Sequence, residues 1–104
     1  MVHQHTLQPE KKTEFLTLLA DHHRRIVLST LRNSADDVAT VRELAIEVSG
    51  RGSVGEERAI LELRHSTLPR LADSGVVEYD ERSETVRYQP HCGLELLLDC
   101  VVEL

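Results

Sequence analysis

The chain has 104 residues, 18 Asp and Glu against 12 Lys and Arg for a net charge of −6, and only 3% aromatic residues without Trp. That length is bounded to one domain with a modest core, which here must be built from Leu, Val, Ile and Ala. The opening MVHQHTLQPEKK lacks the apolar segment of a secretory leader, Leu94 to Leu104 falls short of the ~20 residues that cross a bilayer, and two Cys are too few for a disulfide framework, so a soluble cytoplasmic protein without a membrane partner is expected.

Residues 1–9 are polar and read as a flexible tail. From Pro9, EKKTEFLTLLA predicts a short helix with Phe15, Leu18 and Leu19 on one face. Asp21 is placed to cap the next helix, HHRRIVLSTLRN, whose apolar stripe is Val27, Leu28 and Leu31. NSADD over 33–37 is a loop, and Val38 predicts an isolated short strand. Thr40 opens TVRE, a capping box in which the Thr hydroxyl takes the Glu43 amide and Glu43 reaches back. The helix it starts turns Val41, Leu44, Ala45 and Val48 inward and Arg42, Glu43 and Glu47 outward.

SGRG over 49–52 predicts a turn, and Ser53 begins SVGE, a second capping box. A long helix follows to about Asp73, with Ile60, Leu61, Leu68, Leu71 and Ala72 on its apolar side. Pro69 sits inside it without an amide hydrogen for the His65 carbonyl, which predicts a kink over 65–69. Helical projection sets Arg64 on the apolar face and His65 at its edge, as a buried ion pair and a hydrogen-bonded core His. Gly75 suits the left-handed position past a helix end, VVEYD and TVRYQ form a hairpin across ERSE, and GLELLLDCVVEL is a terminal helix. Two helices joined by a Gly turn and followed by a hairpin make a helix-turn-helix with a wing. The expected class is therefore α+β, mostly α. It consists of a winged-helix domain over 10–90 with an N-terminal helix, and a C-terminal dimerisation helix over 91–104.

The segments LADHHRRIVLSTLR, TVRELAIEV and LRHSTLPRLADSGVVEYDERSETVRYQP resemble the small winged-helix domains abundant in haloarchaeal proteins, many of them of unassigned role or read as transcription regulators. The likeness covers roughly residues 15–90 and is most specific at H-x-x-L-P-x-L-x-x-x-G-V-V. Those relatives carry a second His two residues after the first, where this chain has Thr67. The resemblance implies a winged-helix fold and, with less force, DNA binding. It also answers the acid excess, since in molar salt the screening length falls to ~3 Å and an acidic surface no longer repels DNA at a distance.

The functional expectation is a homodimeric transcription regulator that binds duplex DNA through a recognition helix at 53–73 and a wing at 80–87. Arg51, Ser53, Arg58 and Glu62 would face the groove, with Ser66 and Arg70 further along, Arg82 at the wing tip, and Arg24 and Arg25 against the backbone. The plainer readings are a core helix with a solvated face, a solvated hairpin, and Arg24 and Arg25 paired with acidic neighbours such as Asp21. In the last helix only Glu95, Asp99 and Glu103 are polar, so Phe15, Leu94, Leu97, Leu98, Val101 and Val102 are expected at a dimer interface; the alternative is a helix packed within its own domain. His3, His5, His91, Cys92 and Cys100 lack metal-ligand spacing, and neither a phosphate-binding Gly loop nor a spaced nucleophile and base is present, so no metal, cofactor or enzymatic role is expected. The alternative function is a winged-helix protein–protein interaction module that does not bind DNA.

Overall fold

The computed structural model describes residues 9–51 and 54–101. The tail over 1–8, Ser53 and Val102 lie outside the described residues. Helices α1 (Pro9–Leu19) and α2 (His22–Arg32) come first, then a short turn at Ala35–Asp37 and strand β1 (Val38–Thr40). Helix α3 (Val41–Arg51) precedes α4 (Glu56–Glu62), which passes through a π turn (Leu63–Thr67) into α5 (Leu68–Asp73). Strands β2 (Val77–Asp80) and β3 (Thr85–Tyr88) and helix α6 (Cys92–Val101) complete an α+β fold that is mostly helical. Among the described residues no helix is long and apolar enough to cross a membrane.

Local chemistry accounts for most of the boundaries. The Asp21 carboxylate accepts the Arg24 amide at 2.9 Å and starts α2. Glu43 N–H donates to Thr40 Oγ1 at 3.0 Å and Thr40 N–H to Glu43 Oε1 at 2.8 Å, the reciprocal box that starts α3. Gly75, at φ 76°, ends α5 with its amide on the Ala72 carbonyl and the Val76 amide on the Leu71 carbonyl. The chain enters β2 directly from this turn. Two boundaries differ from expectation. Helix α3 continues through Ser49 and Gly50 to Arg51. Helix α4 begins at Glu56 with Gly55 as its N-cap, and no side chain among the described residues caps it.

The sheet is antiparallel in the order β1-β3-β2. Strand β1 is not isolated: Ala39 lies opposite Val86 and Thr40 opposite Thr85. The short strand expected at Val38 is held in the sheet because β3 supplies its hydrogen-bond partners. Ala39, Val77, Val86 and Tyr88 turn from the sheet into a core shared with Leu18, Val27, Leu28, Leu44, Leu63, Leu71 and Leu98.

The expected dimer contacts are corrected here. Phe15 is 1% exposed, and Leu94 and Leu98 are fully buried, all within the chain's own core; Leu97 packs partly against it. Helix α6 closes on α1, leaving Phe15, Leu94 and Leu98 no surface for a second copy. The Val101 side chain lies outside the described residues. Two residues of the polar stripe of α6 are tied to the rest of the fold at its rim: Arg32 of α2 hydrogen bonds to Asp99 and lies 3.5 Å from Glu95, while the Tyr88 hydroxyl donates to Glu95. A helix that reads as apolar on most sides is thus docked by an apolar edge and an ionic edge together. Among the described residues α6 shows Leu96, Asp99, Cys92 and Cys100 to solvent. Eight residues apart on one helix, those thiols are separated by about 12 Å along the axis, too far for a disulfide within the chain.

Candidate nucleic-acid interface

The helix pair α3 and α4, with α5 and the β2–β3 hairpin after it, positions the residues singled out from the sequence. Its central feature is the π turn. Ala59, Leu63, Thr67 and Leu71 are all buried at steps of four. In an α-helix each step of four overshoots a full turn by about 40°, so three steps would carry the buried face about 120° round the axis. The π turn, where the Leu68 amide reaches back to the Leu63 carbonyl, takes in one extra residue and restores the face. Pro69 falls in the first turn of α5, where its missing amide costs least. The expected disruption over 65–69 is therefore a widened turn rather than a broken one.

This corrects the projection. Arg64, His65 and Ser66 are all exposed, and neither Arg64 nor His65 enters the core. Leu61, expected inward, is 53% exposed, while Ala59, Leu63 and Thr67 were missed as core. The signal that could have found them was the ladder of small and apolar residues at four-residue steps beside an internal proline. Arg64 instead reaches the hairpin turn and pairs with Glu84.

The other predicted contacts separate into two groups. Arg24 and Arg25 are not at this face. Arg24 donates to the Leu18 carbonyl at 2.9 Å and the Thr17 carbonyl at 3.1 Å, and Arg25 to the Leu19 carbonyl at 2.7 Å. Helix α1 has no basic residue in its last turn, and these guanidinium groups satisfy the carbonyls left open there. Asp21 takes the Arg24 backbone amide, so the expected ion pair is not what occupies them either.

Arg51, Arg58 and Glu62 do belong to the α3–α4 pair. Arg51 is 3.2 Å from Glu47, and Arg58, the most exposed of these arginines, is 3.4 Å from Glu62. Glu62 also meets His23 Nδ1 of α2 at 3.3 Å, and His22 Nε2 lies 3.4 Å from the Arg51 carbonyl. Consecutive histidines of α2 thereby touch the end of α3 and the end of α4. Arg82 is exposed in the hairpin turn and has no ion-pair partner among the described residues. Its backbone amide and that of Ser83 point at Asp80. The Ser83 hydroxyl and then those amides hold the Asp80 carboxyl below the ordinary range.

The outward side of α4, the π turn and α5 carries Glu56, Glu57, Arg58, Leu61, Arg64, Arg70 and Asp73, three cations against three anions. No group of three or more potential metal ligands occurs among the described residues. A family model described as a domain of unknown function, DUF7344, matches residues 16–87. No curated protein and no solved structure matches the chain.

Proposed function

This chain belongs to the DUF7344 family, and we propose that it is a winged-helix domain that binds duplex DNA. In this reading the helix from Glu56 to Asp73 enters the major groove and the β2–β3 hairpin is the wing. The observation that carries it is the arrangement at Gly75. A helix with an exposed outer face, Arg58 to Arg70, runs through a Gly-dependent cap straight into a hairpin tipped by Arg82, which has no ion-pair partner among the described residues. Such a surface would follow a groove and its rim. The balanced charge of the face means affinity comes from contact hydrogen bonds and shape, with only a small counterion-release contribution.

Fluorescence anisotropy of labelled duplex DNA, titrated from low to molar KCl, tests the reading. Binding is expected to persist at high salt, and Arg58→Ala is expected to weaken it at least about fivefold without moving the unfolding curve. Unaltered binding in an Arg51→Ala/Arg58→Ala double variant removes those two residues from the interface. Two copies on one duplex would meet through other residues than Phe15, Leu94 and Leu98, which are enclosed.

A second reading, a protein-interaction module, is favoured by two exposed carboxylates, Glu56 and Glu57, in the first turn of α4, and by Leu61 exposed one turn on. They would face phosphates in the DNA reading and a basic, partly apolar protein surface in this one. Anisotropy of the labelled duplex left unchanged by the protein at every salt transfers the proposal to this second reading.

A further inference from the structure

The junction between the π turn and the hairpin holds an arginine in a contact that the fold needs little. Arg64 leaves the π turn with 42% of its side chain exposed, and its partner Glu84 is 43% exposed. An exposed pair of this kind contributes little to stability. Glu84, in contrast, is held firmly. It closes the hairpin turn in a left-handed conformation at φ 57°, and its backbone carbonyl accepts the Val41 amide of α3 at 3.0 Å. A carboxylate carried on a fixed backbone position therefore faces a long guanidinium that can reach elsewhere. The pair spans two elements, unlike Arg51–Glu47 and Arg58–Glu62, which join successive turns of one helix.

We propose that Arg64 is a backbone-phosphate contact of the bound duplex and that Glu84 is its built-in competitor, occupying the guanidinium until a phosphate displaces it. This rests on the DNA-binding reading above. The guanidinium fork fits a phosphate as well as a carboxylate, so the exchange keeps the number of charge-assisted hydrogen bonds. Both partners act at contact distance, so salt that screens the wider surface leaves the competition in place. Duplexes that bring a phosphate to the helix–hairpin junction are held, and weaker polyanion encounters meet a neutralised arginine.

A double-mutant cycle tests this with the full chain, Arg64→Ala, Glu84→Gln and the double variant, each titrated against a labelled duplex of mixed sequence. Thermal unfolding of each protein confirms the fold. Glu84→Gln is expected to tighten binding about two- to fivefold, the worth of an exposed pair expressed as an affinity ratio. Arg64→Ala is expected to weaken binding, and Glu84→Gln to bring no gain in its background. An equal gain in both backgrounds is a general charge effect and overturns the competitor role while leaving DNA binding intact. No gain from Glu84→Gln in the native background overturns it as well. Failure of all four proteins to bind overturns the DNA-binding reading and this proposal with it.

Discussion

The two flanks of the molecule use their arginines in opposite ways. On the α1–α2–α6 flank, Arg24 and Arg25 close the open carbonyls of α1, and Arg32 bridges Glu95 and Asp99 beside Tyr88. Each is half-buried and ties one element to another. On the α4–α5–hairpin flank, Arg58 and Arg64 are exposed and each meets a single carboxylate, while Arg82 meets none among the described residues. The difference teaches that charge count alone cannot locate an interface. The densest basic cluster in the sequence, HHRR over 22–25, is a structural brace, whereas the thinner cations of the other flank are the ones a partner could take.

The largest test of the braced flank is alkaline pH. Burial first, then the hydrogen bond to Glu95 and its charge, push the Tyr88 phenol well above the ordinary tyrosine value. A group whose value is raised by folding stabilises the fold below its unfolded value, about 10, and stops doing so as pH climbs toward the folded one. Stability is expected to be level up to the tyrosine range and to fall steeply above it, read from urea midpoints at stepped pH. Tyr88→Phe should remove most of that fall; an unchanged fall in the variant ends the assignment.

Arg32→Ala comes next. It leaves Glu95 and Asp99 without their shared cation and is expected to cost about 1–2 kcal/mol in urea unfolding, with the loss shrinking in salt. The sharpest form of the comparison sets Arg24→Ala against Arg58→Ala. Removing the donor to two α1 carbonyls should cost about 1 kcal/mol, and removing the exposed arginine less than about 0.5 kcal/mol. A reversed order would mean that the flanks have been assigned the wrong way round.

Much of this was legible before any coordinates. The caps at Asp21 and Thr40, the left-handed Gly75, the hairpin and the apolar faces of α1 and α3 follow from spacing because each depends on residues within one or two turns. The candidate site was half legible. Arg58 and Arg82 stand where a helix face and a turn tip were expected, but Arg64 was read as buried because a regular 3.6-residue period was carried across Pro69.

What the sequence determined by itself was the order and kind of the elements, since helix periods, caps and turn residues act locally. Tertiary structure alone decided three things. It joined β1 to the sheet, because β3 supplied the hydrogen bonds that three residues cannot make for themselves. It tied Glu95 and Asp99 of α6 to α2, because Arg32 stood beside them. And it brought Arg64 to Glu84 across 20 residues, because keeping Ala59, Leu63, Thr67 and Leu71 on one core required the extra residue of a π turn, and that residue swung the arginine out to the hairpin.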